Sequence, residues 1–324
     1  MAAPTSLKIN STTLNLPYHP SFASRDADII LQSADGVYYR VHSSVLSTTS
    51  GLFRTMFSLP QPSLEHHKTC CPVATSCECD PIPTHETSEV LTILLLLLTG
   101  KPLPSAVPEW GDLNFIGRVL GLAELWETPG PLSSIRAAIT SPKLLQADPF
   151  MVFALASHHD WAEEKSLAAK YCLTLQESAL GSERSMELVT TTDLLALLKL
   201  RRRRRDEFQS LIESPHGFSA GNTERFMCTY CGVTAIDNSS WVALKTAMIM
   251  EMDRRPLGDG VAGGSLGDVR LRVQDEPLGI MSWKEAERCW EARCSKESCN
   301  GLNYDKAVTL KQIVRCVEVL SFQL

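Results

Sequence analysis

The 324-residue sequence predicts an α+β protein: an α/β domain, a helical linker and a mainly helical C-terminal domain. Three observations carry that expectation. Apolar residues alternate at a period of two up to Val41 and then switch to a period of 3.6. From residue 84 onward the apolar patterns are helical. A Cys-x-x-Cys pair, Cys228 and Cys231, then marks a C-terminal segment of different chemistry.

Residues 1–20 are polar and carry Pro17 and Pro20, so they read as a loop. Residues 28–32 are a β-rich run, and Ala34-Asp35-Gly36 supplies a turn. Val37, Tyr39 and Val41 alternate as a half-buried strand requires. After His42, the residues Val45, Leu46, Thr49, Leu52, Phe53, Met56 and Phe57 share one helical stripe. Ser50-Gly51 sits mid-stripe and is expected to divide it into two short helices. Leu52, Phe53 and Phe57 are expected in the core. Residues 60–83 are rich in Pro, Ser, Thr and Cys, the composition of a loop insert, with one short strand near 77–82. Thr84 is an expected N-cap, with Glu86 and Glu89 in the first turn and 90–98 packed. Gly100, Pro102 and Pro104 end that helix. A helix over 112–127 carries Phe115, Val119, Leu122 and Trp126, and a short one follows Pro131.

Asp148-Pro149 is an N-cap and first-turn pair. Asp160 is expected to cap a helix bearing Trp161, Ala168, Cys172 and Leu175. Residues 192–212 read as one long helix. Beyond 217 come a helix over 241–252 with Leu244 and Met248 on one face, a Gly-rich loop over 257–267 and a Trp-rich helix over 281–293. An amphipathic helix over 307–320 uses Leu310, Ile313, Val314 and Val317. The expected division is a loop (1–20), the α/β domain (21–140), the helical linker (141–216) and a cysteine-containing domain (217–324).

Composition bounds the function. A hydrophobic fraction of 44% supports real cores. A net charge of −6 gives no global basic footprint and disfavours a nucleic-acid partner. No charged segment followed by an apolar one suggests a signal peptide. The longest apolar run is far below the ~20 residues of a bilayer span, so no membrane partner is expected. With 11 cysteines and no secretory signal, reduced thiols in the cytoplasm or nucleus are expected. Metal ligation then ranks ahead of disulfides.

Cys228-Thr229-Tyr230-Cys231-Gly232 places two thiols where they can chelate one zinc, with a glycine relieving the tight turn. A tetrahedral site needs two more ligands, and Cys294 and Cys299 are the candidate pair, followed by an Asn300-Gly301 turn. About 60 residues separate the pairs, much more than in common zinc ribbons. Cys289 competes as a ligand but should face differently if it shares a helix with Cys294. The alternative is four reduced core cysteines. A second cluster, Cys70, Cys71, Cys77 and Cys79 with His66, His67 and His85 nearby, lacks the Cys-x-x-Cys spacing and reads as loop and edge strand.

Arg201 to Arg205 are five consecutive arginines, suited to a nuclear localisation signal, an acidic-partner patch or a solvated helix. At ~100° per residue they wrap the whole helix. The stripe of Leu194, Leu198, Phe208 and Ile212 runs through Arg201 and Arg205, so those two should line the core edge and the rest face water. Gly258 to Gly263 spells GxGxxG, but no strand precedes it and it reads as a loop. His158-His159-Asp160 reads as a loop before a helix, and His42 as a structural histidine. No metalloprotease, nucleophile-elbow or P-loop motif is present, so no catalytic residue is assigned and the protein is expected to be non-enzymatic.

The segment 26–59 resembles the start of a BTB/POZ domain, an interaction and dimerisation module. In that family a strand pair enters a helix through Val-His, and a Ser-x-x-Phe follows; here these are Val41-His42 and Ser50-Gly51-Leu52-Phe53. Leu97-Leu98-Thr99-Gly100 is similar to the family's leucine-rich helix running into a Thr-Gly turn. The resemblance covers roughly residues 21–140. It implies a homodimer, formed through the helix around Ser44 to Met56 and the N-terminal segment, and protein partners. It leaves two more specific roles open: substrate adapter of a cullin-type ubiquitin ligase, and nuclear transcriptional regulator. Asp28 matches the family's acidic first strand, but Ser43 stands where a basic residue is usual. After Met56-Phe57 the sequence Ser58-Leu59-Pro60-Gln61-Pro62-Ser63 does not match the cullin-binding hydrophobic-x-Glu element. The whole arrangement is similar to the BTB-containing proteins numerous in mushroom-forming fungi, which pair such a domain with a basic helix and a Cys-x-x-Cys tail.

Overall fold

The computed structural model describes residues 18–60, 81–103, 112–263 and 279–324. The chain divides into two compact units, Met1–Ala138 and Ile139–Leu324. Helices predominate, and one small sheet makes the chain α+β.

In the first unit, β1 (Ile29–Gln32) pairs antiparallel with β2 (Tyr38–Val41), Ile29 opposite Val41. Gly36, at a φ of 83°, makes the turn in a conformation that a Cβ would strain. The alternation buries Tyr39 and Val41. A short β3 (Ile82–Pro83) adds in parallel to β1, giving the order β2-β1-β3. Asp28 in front of β1 accepts hydrogen bonds from the Ser43 backbone N–H (2.7 Å) and hydroxyl (2.5 Å). That places a carboxylate at the N-terminus of α1 (Ser43–Thr49), where the helix dipole favours it.

Ser50 breaks the helical stripe. Its backbone is extended, and its hydroxyl accepts from the Phe53 N–H (3.2 Å) while donating to the Trp126 carbonyl (2.5 Å). Helix α2 (Gly51–Ser58) starts there, and Phe53 meets Trp126 edge-on at 4.9 Å. The break resets the helical phase. Phe53 is buried as expected, Phe57 is only half-buried, and Leu52 turns outward at 39% exposure, against the sequence expectation.

Helix α3 (Ser88–Thr99) begins later than the pattern predicts because Thr84 belongs to the sheet edge. Its N–H donates to the Gln32 carbonyl at 2.8 Å. The capping carboxylate comes from the hairpin turn instead: Asp35 accepts from the Ser88 N–H (2.8 Å) and hydroxyl (2.6 Å). The Ser88 hydroxyl, followed by Ser33, holds the Asp35 carboxyl down at about 2. A carboxyl depressed in the folded state stabilises above its unfolded range, near 3.9, and that contribution is lost as pH falls toward 2. Asp35→Asn is therefore expected to flatten the drop in melting temperature between about pH 4 and pH 2. An acid profile superimposable on the parent's would refute this. Gly100, at a φ of 64°, closes α3. Helix α4 (Leu113–Leu125) is capped by Asp112 and buries Phe115, Val119 and Leu122, with Trp126 just beyond it. Helix α5 (Pro129–Ile139) follows.

The second unit opens with α6 (Pro142–Ala147) and α7 (Pro149–His158), whose cap Asp148 accepts from the Met151 N–H at 3.0 Å. Helix α8 (Ala162–Cys172) is entered through Trp161; Asp160 adopts a φ of 54° and does not cap it. Next come α9 (Glu183–Leu188) and the long α10 (Thr191–Ile212). Helix α10 turns Leu197, Leu200, Arg201, Arg204, Phe208 and Ile212 inward. The arginine expectation is corrected here: Arg201 is buried, but its companion is Arg204, while Arg205 pairs with Asp206 and Asp253 at 2.7 and 2.8 Å. The phase is set by Leu197 and Phe208 rather than by Leu194 and Leu198.

Helices α11 (Ser219–Asn222), α12 (Ser239–Arg254), α13 (Asp259–Ala262), α14 (Lys284–Glu291) and α15 (Lys306–Glu318) complete the unit. The GxGxxG segment is largely the short α13 rather than a loop, and α12 rather than a strand precedes it. The expected Trp-rich helix is shorter because Gly279–Ser282 forms a separate 3-10 turn. One core gathers Phe208 and Ile212 of α10 with Trp241, Leu244, Met248, Tyr304, Ile313 and Val317. Among the described residues, no helix is long and apolar enough to cross a membrane.

Candidate metal centre

Two short knuckles build the site. The first lies between Met227 and Ala235, which form an isolated antiparallel bridge. Inside it the Cys228 N–H donates to the Thr234 carbonyl and the Gly232 N–H to the Cys228 carbonyl, both at 2.8 Å. Gly232 sits at a φ of 66°, the left-handed geometry that lets the chain turn back after Cys231. The second knuckle lies between Arg293 and Leu302, another antiparallel bridge. Its Cys294 N–H donates to the Gly301 carbonyl and its Cys299 N–H to the Lys296 carbonyl, again at 2.8 Å. Asn300, at a φ of 47°, makes the turn the sequence suggests. Each pair of thiols is thus fixed by a hairpin before the pairs meet.

They do meet. The sulfurs of Cys228, Cys231, Cys294 and Cys299 all lie within 4.8 Å of one another. Cys228 and Cys299 are 3.8 Å apart, and Cys231 and Cys294 3.9 Å. A tetrahedron with Zn–S bonds of ~2.3 Å has edges of ~3.8 Å, so two of the six edges already fit. The four cysteines could hold a metal ion. Cys228 and Cys294 are buried, and Cys231 and Cys299 are partly exposed.

Backbone amides surround the sulfurs. The N–H groups of Cys231 and Tyr230 hold the Cys228 thiol below its usual range. The Val233 N–H, then the Thr234 hydroxyl, bring the Cys231 thiol down to about 6. The Gly301 N–H lowers Cys299, but desolvation and the three neighbouring sulfurs outweigh it and push that thiol up to about 11. Four thiols this close cannot all ionise alone; a divalent cation among them would supply the missing positive charge.

Cys289 is not part of the cluster. It points into the apolar core from α14, fully buried, and desolvation raises its thiol to about 12. Cys70, Cys71, Cys77, Cys79, His66 and His67 lie outside the described residues. His42 precedes α1 with Nε2 3.5 Å from the Asp26 carboxylate, and His158 ends α7 packed edge-on against His159.

A feature the sequence did not suggest adjoins the knuckles: a cavity of about 650 Å³. Phe218, Phe226, Tyr230, Trp241 and Tyr304 line it. Its charged residues are Asp305, which caps α15 by accepting from the Val308 N–H, and Lys306. Among the described residues that line it there is no histidine or cysteine. No protein-family model and no curated protein sequence matches the chain.

Proposed function

We propose that this chain is a non-enzymatic protein–protein interaction protein. Its first unit acts as a BTB/POZ-like homodimerisation module, and a structural zinc held by Cys228, Cys231, Cys294 and Cys299 stabilises the cysteine-bearing half of the second. The observation that carries the interaction reading is the order of elements in the first unit. A strand hairpin enters α1 at His42, Ser50 caps α2 with Phe53 in its first turn, and the leucine-rich α3 ends in Thr99-Gly100. This is the order on which the family resemblance rests. The choice of zinc is supported by the donor set: four thiols with tetrahedral-scale spacings suit a soft-accepting, redox-inert ion.

Sedimentation of the full chain at tens of micromolar tests the dimer. The expected species is a dimer of the 35.8 kDa chain. A monomer at that concentration would refute dimerisation. Metal analysis of protein purified without added metal is expected to give one zinc per chain, and none would refute the zinc assignment.

A further inference from the structure

The five arginines of α10 have the composition of an exposed basic signal, but two of them are spent inside the fold. Arg201 donates from Nη1 to the Cys172 carbonyl (3.0 Å) and from Nη2 to the carbonyls of Leu175 (2.9 Å) and Arg254 (3.2 Å). Arg204 donates from Nε to Pro256 (2.8 Å), from Nη1 to Leu320 (2.9 Å) and Ser321 (2.8 Å), and from Nη2 to Leu257 (3.1 Å). Every acceptor is a backbone carbonyl at or just beyond the C-terminal end of α8, α12 or α15. Those ends carry unsatisfied carbonyls and the negative pole of the helix dipole, so a cation there is favoured twice. The planar fork suits the role: lysine offers a single point charge and cannot spread its donors over carbonyls from several segments. Among the described residues neither guanidinium has a carboxylate within salt-bridge distance, so backbone carbonyls are their direct partners.

The neighbours close the arrangement. Phe322 lies over the Arg204 guanidinium at 4.2 Å from ring centroid to Cζ, and Lys170 of α8 approaches the same ring at 5.5 Å. Arg203 donates to the Gln323 carbonyl. The Leu257 N–H donates to the Leu173 carbonyl at 3.1 Å, tying the end of α8 to the turn after α12 directly.

We propose that Arg201 and Arg204 form an internal clasp that fastens the ends of α8, α12 and α15 to α10. The clasp makes residues 139–324 one cooperative body rather than a helical stalk carrying a separate metal domain. It also conceals the run: a partner reading five basic residues meets them all only after the clasp opens.

The test uses the full, zinc-loaded chain and compares Arg204→Lys with Arg202→Lys, a change at an exposed position of the same run. Both variants keep the charge and the trypsin-cleavable site. Arg204→Lys is expected to lower the melting temperature by about 5 °C or more. It should also speed trypsin cleavage within 201–205 about tenfold, since cutting there needs local opening. Arg202→Lys should leave both quantities at parental values. Equal melting temperatures and equal cleavage rates for the two variants would overturn the proposal. Should Arg204→Lys fail to fold, Phe322→Leu gives the second reading, because it removes the ring over the guanidinium and keeps every hydrogen bond. Faster cleavage in the run supports the clasp, and an unchanged rate overturns it.

Discussion

Serine at Cys231 is expected to strip zinc from the protein and to lower the melting temperature of the second unit by roughly 10 °C. Structural zinc contributes an apparent ~10–16 kcal/mol in isolated finger peptides, where nothing else holds the fold. Here the knuckles adjoin a real core containing Trp241, Leu244 and Met248, so a smaller share of the stability depends on the ion. A loss of about 3–5 kcal/mol, spread over a unit of this size, corresponds to a shift of that order. The serine hydroxyl is a poor zinc ligand, and three cysteines alone leave the tetrahedral set incomplete. The measurement pairs a thermal melt with metal stoichiometry on the same sample. Retention of one zinc with a parental melt would show that Cys231 is not a ligand. Loss of zinc with a parental melt would show that the ion is not structural.

Trp241→Ala should cost about 3–5 kcal/mol. The indole is 1% exposed and stacks on Phe218 at 5.1 Å between ring centroids. Its Nε1–H donates to the Asn222 side-chain oxygen at 2.9 Å, and Asn222 in turn donates to the Ile212 carbonyl at 2.8 Å. The indole therefore links α12 to the end of α10 through one asparagine. Alanine leaves a cavity, so the transfer and cavity losses add, while the Asn222 oxygen keeps its second donor, Lys245 Nζ at 3.2 Å. Gly221 abuts the ring so closely that a Cβ there would collide with it, so that wall of the site has no side chain to relax into the vacancy. Chemical denaturation with tryptophan fluorescence and circular dichroism measures the effect. A cost below about 1 kcal/mol would mean the core does not depend on this ring.

The sequence was readable where one local signal acted alone. Asp148 stands before a clean apolar stripe and caps the helix it was expected to cap, and the helix expected over 112–127 forms at Leu113–Leu125. Ser50-Gly51 divides α1 from α2 where the pattern places the break. The four thiols were legible from residue type and pairing, although about 60 residues separate the pairs. Reading failed where a distant partner decided the outcome. Thr84 has the chemistry of a helix cap, but the β1 edge uses its N–H, and the cap of α3 comes from Asp35 instead. On α10 two apolar stripes of similar quality differ by one position. Carbonyls just beyond the ends of two other helices, α12 and α15, select the phase that buries Arg204, and no local pattern announces them. The cavity beside the knuckles is assembled from residues 217–230, Trp241 and 302–312, so it has no linear signature.

The distance between the two knuckles also sets a clock. The chain leaves the ribosome from its N-terminal end at ~5–20 residues per second, so roughly 3–13 s pass between the emergence of Cys231 and that of Cys294. During that interval the first knuckle has only two thiols to offer, half of a closed tetrahedral set. For the proposed zinc site, capture of the ion would then be a late step in biogenesis, gated by the synthesis of α12 and α14. Until then the first pair would be open to oxidants and to competing soft metals.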